Sequence, residues 1–306
     1  MQTKKRNSTL IMYVLGLFLF SQLIKMPDLK LLEKITIQVR RDILRMVHKV
    51  NSGHPGGSLG CAEFFVSLFF DQLEFSLPFR IDGKNEDIFF LSNGHISPVF
   101  YSVLARRGFF PIQELNTFRL INSRLQGHPA THEGLPGIRV ASGSLGQGLS
   151  VAIGSALTKK LDKDPKTVFV LMGDGELQEG QNWEAIMYAA ANKIDNLIAT
   201  IDLNGKQIDG NTGDVLDLGD LNNKFISFGW EVIELNDGNS INEIINKIKI
   251  AKTKLGHEKP IVILMKTEMG NGVDFMMNTH AWHGKAPNNE QLKKALSQNK
   301  ETLGDY

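Results

Sequence analysis

The sequence predicts an α/β fold, a three-layer, doubly wound, mostly parallel sheet. Two observations carry this expectation. Five short runs, Ile88–Leu91, Val168–Met172, Leu197–Ile201, Glu231–Leu235 and Ile261–Lys266, are continuously apolar or nearly so. That is how strands buried on both faces read. The segments between the runs have helical character, and alternation of strand with helix favours parallel pairing under two helical layers.

The elements follow in order. A first helix is expected over residues 28–50, with Leu32, Ile35, Val39, Ile43, Met46 and Val50 on one face. Gly53-His54-Pro55 ends it. The first strand is followed by Leu91-Ser92-Asn93-Gly94-His95. Gly143-Ser144-Leu145-Gly146-Gln147-Gly148 precedes an Ala/Gly-rich helical run, Val151–Leu157. The second strand closes at Gly173-Asp174-Gly175, a helix-like segment follows, and the third strand closes at Asp202-Leu203-Asn204. After the fourth strand, Ser240-x-x-Glu243 reads as a capping box ahead of Ile244, Ile245 and Ile248. The fifth strand follows, and the tail from Asn288 reads as one more helix.

No internal repeat or Pro/Ser-rich linker divides the 306 residues, so residues 26–306 are expected to form one domain. The N-terminus differs in character. Lys4-Lys5-Arg6 precede an apolar run from Leu10 to Phe20, which mimics a secretory signal. The run is short for a membrane span, and no small-x-small cleavage site follows it. We expect residues 1–25 to be an upstream start-codon artefact outside the fold, with Met26 opening the functional chain. A genuine anchor is the alternative, and the only route by which a membrane would enter.

Lys plus Arg total 34 and Asp plus Glu 33, and a net charge of +1 argues against a nucleic-acid partner. The single cysteine, Cys61, rules out an internal disulfide framework and fits a reducing, cytoplasmic setting. Zinc-type Cys/His spacing, Walker A and GxGxxG are all missing.

The chemistry concentrates at the strand ends. Asp174 and Asn204 each follow a buried strand, at the edge where parallel α/β sheets bind ligands. A carboxylate and an amide oxygen beside helix-start amides at Gly175 and Glu176 suit a hard divalent cation on a diphosphate. An ordinary turn with Asp174 as N-cap is the alternative for Gly173-Asp174-Gly175 alone. His54, His95, His128 and His283 each sit beside Gly or Pro on irregular segments, where sites are commonly built. Taken singly, each also reads as a surface or capping histidine. The Gly143–Gly148 segment fits either a closely packed helix start or backbone approach to a flat cofactor.

Together these segments resemble the N-terminal, diphosphate-binding half of transketolase. SGHPGGSLG, LSNGH, GHP, SGSLGQGLS, GDGELQEG, IDLNGKQIDG and WHGKAP occur in that family's order, from about Leu31 to Pro287. The resemblance implies a thiamine-diphosphate-binding fold with thiamine diphosphate and Mg²⁺ as cofactors. It implies Mg²⁺ held by Asp174, Asn204 and the backbone carbonyl of Lys206. Gly173 and Gly175 would lie along the diphosphate, and Gly143 and Leu145 against the thiazolium ring. His95 and His283 would stand near the diphosphate and the reacting carbon. His54 and His128 would bond substrate oxygens and help move protons. Glu179 would link paired sites across a dimer, or else is a solvated helix glutamate.

Nothing in this chain resembles the family's second half, which holds the pyrimidine ring and grips the sugar phosphate. The resemblance therefore implies a split enzyme. A C-terminal transketolase subunit would be the partner, in a heterotetramer, moving a two-carbon ketol unit between sugar phosphates of the pentose phosphate pathway. The competing readings are ketol transfer on a sulfonated or otherwise modified sugar, deoxyxylulose-phosphate-synthase-like activity, and a non-catalytic regulatory subunit.

Overall fold

The computed structural model describes residues 28–306. The apolar run at residues 1–25 and Met26 lie outside the described residues.

Helix α1 (Leu29–Lys49) is capped by Asp28, whose side chain accepts from the Lys30 amide. It buries Leu32, Ile35, Val39, Ile43 and Met46, as its periodicity predicts. Pro55 does more than end it: His54 and Pro55 open a second short helix, α2 (Pro55–Gly60), followed by α3 (Ala62–Ser67) and a π-turn over Leu68–Gln72. Proline at a first helical turn loses no hydrogen bond, so the same residue that stops one helix starts the next.

Strand β1 (Ile88–Leu91) leads through a 3₁₀ turn at Gly94–Ile96 into α4 (Ser97–Arg106). A long irregular segment, with 3₁₀ turns at Ile112–Thr117 and Thr131–Glu133, precedes α5 (Gly148–Leu161). Strand β2 (Val168–Gly173) runs into a 3₁₀ turn, Gly175–Gln178, and only then into α6 (Gly180–Ala191). Strand β3 (Leu197–Leu203) is followed by a two-strand antiparallel hairpin, β4 (Lys206–Gln207) and β5 (Gly210–Asn211). Helices α7 (Thr212–Leu216) and α8 (Leu221–Ser227) precede β6 (Glu231–Leu235). Helix α9 (Ile241–Thr253), β7 (Ile261–Lys266) and α10 (Asn289–Gln298) complete the order.

The main sheet has the order β1-β2-β3-β7-β6, with every pairing parallel. One apolar core lies between the sheet and α1, α3, α4 and α9, with α10 packed on α1. A second lies on the opposite face, under α5, α6 and α8. The expected three-layer α/β architecture is therefore the observed one. β1 and β6 are the two edge strands; β6 is patchily buried, while β1, β2 and β3 are almost wholly buried.

The capping-box expectation is corrected. Ser240 accepts from the Glu243 amide, but no return bond from Glu243 is formed. The complete box stands at Asn288 and Gln291, where both reciprocal bonds are made. Among the described residues no helix is long and apolar enough to cross a membrane.

Candidate active site at the strand ends

Parallel register brings the strand tips together. Gly173 pairs with Asp202, and Asp202 with Met265, so the turns that follow lie side by side. Asp174 sits at the first tip and is 4% exposed. Its Oδ1 accepts the Gly175 amide at 2.7 Å and its Oδ2 the Gly205 amide at 2.6 Å. The Gly175 amide is thus turned onto Asp174, and the expected helix start at Gly175 is a 3₁₀ turn preceding the helix. Burial, with Asp202 close by, pushes the Asp174 carboxyl up to about 7. Asn204 stands at the neighbouring tip. Its Oδ1 accepts the Lys206 amide at 2.9 Å, and its Nδ2 donates to Asp202 Oδ2 at 2.9 Å.

These atoms line a cavity of about 520 Å³ together with Asn93, Gly143, Leu145, Gly173, Glu179, Lys206 and three histidines. The histidines are His54, His95 and His283. His54 is central: its ring lies 5.1 Å from His95, 5.7 Å from His283 and 6.3 Å from His128, and His95 and His283 are 5.2 Å apart. Four histidines from four separate segments therefore meet, although His128 stands outside the cavity lining. His132 pairs with Glu133 and lies outside this cluster. Burial lowers the pKa of all four clustered histidines, with neighbouring cationic groups adding to it, and His54 falls to about 4. Near pH 7 they are neutral, each with one donor and one acceptor nitrogen.

Close backbone approach explains the glycines at two places. Gly143 has φ +125°, and a Cβ there would lie 2.6 Å from the His128 ring. At Gly94, a Cβ would lie 2.7 Å from the Ser142 backbone carbon, so the loop after β1 touches the loop before α5 only because this position is bare. Leu145 is half-buried and offers an apolar surface to the cavity. Glu179 is exposed at the N-cap of α6, beside Gly146.

Two buried carboxylates escaped the sequence reading. Glu176, 2% exposed, accepts the Ser92 hydroxyl, the Gly146 amide at 2.9 Å and the Gly173 amide at 3.2 Å. It ties together the loop after β1, the loop before α5 and the end of β2. Asp202, also 2% exposed, accepts from Thr267 and Asn204. The available signal was an acid inside an apolar run, Leu197–Leu203, where a charge survives only with partners.

The donor set fits a hard cation. Both Asp174 oxygens and Asn204 Oδ1 spend one lone pair on a backbone amide and keep another. Among the described residues no three His, Cys, Asp or Glu side chains are placed to hold a metal ion. A cation here would therefore draw on backbone and ligand oxygens as well. Asn93 Oδ1, His54 Nδ1 and His283 Nδ1, all on residues lining the cavity, are buried without a protein partner. Orphaned polar atoms of this kind mark a site that another molecule completes.

Known proteins resemble this chain in sequence and fold. The chain is 35% identical over 264 residues to one subunit of the apulose-4-phosphate transketolase of Phocaeicola vulgatus, covering 86% of this chain and 92% of that protein. It is 37% identical over 260 residues to a 6-deoxy-6-sulfo-D-fructose transketolase subunit from a Clostridium species, covering 85% and 93%. The crystal structure of transketolase from Campylobacter jejuni superimposes with a TM-score of 0.82 at 31% identity, over 89% of this chain and 43% of that one. The chain thus spans less than half the length of that transketolase. The family described as "Transketolase, thiamine diphosphate binding domain" matches residues 33–304. With the match running through every strand and loop that builds the cavity, the chain belongs to the transketolase thiamine-diphosphate-binding family.

Proposed function

We propose that this chain is the diphosphate-binding half of a two-chain transketolase, and that with its partner it transfers a two-carbon ketol group from a ketose phosphate to an aldose phosphate. The observation that carries the reading is one cavity lined both by clustered histidines, His54, His95 and His283, and by an oxygen donor pair, Asp174 and Asn204. Asp174, Asn204 and the Lys206 carbonyl would hold Mg²⁺. Gly173 and Gly175 would flank the diphosphate, and Gly143 and Leu145 the ring. Thiamine diphosphate, when bound, supplies the carbon nucleophile for cleaving and remaking the bond beside a ketose carbonyl. The chain's own part is positional and electrostatic. Neutral His54 and His128 can donate to or accept from sugar hydroxyls, and His95 and His283 can donate to oxygen atoms that gain negative charge. Glu179, exposed at the head of α6, would face a second copy of this chain over a two-fold axis. A cytoplasmic heterotetramer with a C-terminal, pyrimidine-binding partner is the assembly this reading calls for.

Ketol transfer on a modified sugar is the second reading, favoured by the names of two relatives that act on apulose 4-phosphate and on a sulfonated fructose. The test is to purify the chain alone and with the product of a neighbouring reading frame encoding the complementary half. Both preparations are then assayed on pentose phosphates and on branched or sulfonated ketoses, with thiamine diphosphate and Mg²⁺. Activity is expected only in the pair, abolished by Asp174→Ala. Turnover by the chain alone at the rate of the pair would refute the split-enzyme reading.

A further inference from the structure

The cavity lining includes a buried acid, Asp202, whose two oxygens are both engaged by other side chains. Asp202 is 2% exposed, takes the Thr267 hydroxyl on Oδ1 and the Asn204 amide on Oδ2, and has the Cys61 thiol alongside. The Thr267 hydroxyl fills one carboxyl oxygen, and the Asn204 Nδ2 donates to the other at 2.9 Å. Independently, the Lys206 N–H only donates, and it meets Asn204 Oδ1 at 2.9 Å. Both neighbours therefore assign the same orientation. A flipped amide would give up the bond from Nδ2 to Asp202 and press NH₂ against the Lys206 N–H.

We infer that Asp202 is a positioning residue that dictates the chemistry of position 204: an amide is required there, its NH₂ turned inward and its oxygen held outward. A carboxyl group at 204 has no NH₂, so Asp202 Oδ2 would lose the donor it now meets at 2.9 Å, and a buried acceptor left without a partner is costly. This explains why the two donors at the strand tips are one carboxylate and one amide. The outward oxygen serves a cation only if the reading under Proposed function holds; the orientation itself does not depend on it.

The test is a four-protein cycle on the full chain: wild type, Asp202→Asn, Asn204→Asp, and the double exchange. Exchanging the two residues restores one donor amide facing one acceptor carboxylate, so the pair is complementary again. Circular dichroism checks folding. Urea unfolding without cofactor should show Asn204→Asp less stable than wild type and the exchange recovering most of the loss. Mn²⁺ titration followed by electron paramagnetic resonance, with thiamine diphosphate present, should show each single variant weakened about 10–100-fold, as for other residues that orient metal ligands. The exchange should return most of that affinity. If the exchange is only as stable as the sum of the two single changes, or Asn204→Asp binds Mn²⁺ more tightly than wild type at unchanged stability, the inference is overturned. If wild type takes up no Mn²⁺ with the cofactor, the metal reading fails, while the unfolding cycle still decides the role of Asp202.

Discussion

Replacing Asp174 by asparagine should move stability and cofactor affinity in opposite directions. In the chain without cofactor, burial beside Asp202 holds the Asp174 carboxyl at about 7, against an ordinary 3.8. The unfolded chain gives up this proton near pH 4, while the folded chain keeps it until about pH 7. Stability therefore falls as pH rises through that window. Above it the full penalty is about 4 kcal/mol. Asparagine removes the penalty but can accept only one of the two amides now bonded to Asp174, from Gly175 and Gly205. Losing the other costs about 1.5–3 kcal/mol. Urea unfolding at pH 8 should thus find Asp174→Asn more stable than wild type by about 1–2 kcal/mol, and at pH 5 less stable. The same variant should lose Mg²⁺-dependent affinity for thiamine diphosphate by tenfold or more, because an anionic oxygen donor is gone. If the two proteins have parallel pH–stability curves, the account of a buried, cation-ready carboxylate is wrong.

Three further outcomes are expected. Glu176→Ala leaves the Ser92 hydroxyl and the Gly146 and Gly173 amides without their acceptor, so urea unfolding should show a loss of about 3 kcal/mol. Asp305, clamped by Arg41 and Arg45 and held at about 2, contributes stability that is present above its ordinary 3.8 and lost as pH falls towards 2. With solvent screening allowed for, Asp305→Asn should cost about 1 kcal/mol at pH 6 and nothing measurable at pH 2. His54, lowered from 6.5 to about 4 by burial and its neighbours, stays neutral in the folded chain while the unfolded chain takes up a proton. Stability should fall as pH drops from 6.5 to 4, by at most about 3 kcal/mol, and His54→Gln should flatten that part of the unfolding curve.

Much of the molecule was legible in one dimension because burial dictates residue type locally. Ile88–Leu91 and Ile261–Lys266 occupy the predicted bounds, since a strand under helices is apolar along most of its length, and Glu231–Leu235 keeps its bounds with only Ile233 and Leu235 buried. Helix α1 declared itself through its buried face. Asp174 and Asn204 stood out because polar residues follow apolar runs where a sheet edge opens. The turn at Gly175 was harder. A 3₁₀ turn and a helix begin with the same residue types, and only the pull of Asp174 on the Gly175 amide separates them. The capping box at Ser240 matched its pattern, yet the pattern cannot say whether Glu243 bends back.

Strand order and the company each side chain keeps lay beyond local reading. Placing β7 between β3 and β6 brings Thr267 over Asp202, sixty-five residues away along the chain. The histidines gather around His54 because four separate segments converge. Glu176 looked like one more polar residue of a turn until three donors closed on it. Hydrophobic patterning is a property of neighbours in the chain, and so it wrote the fold class and the polar strand tips into the sequence. Hydrogen-bond pairing, desolvation and proton affinity are properties of neighbours in space, and those existed only once the sheet had set its register.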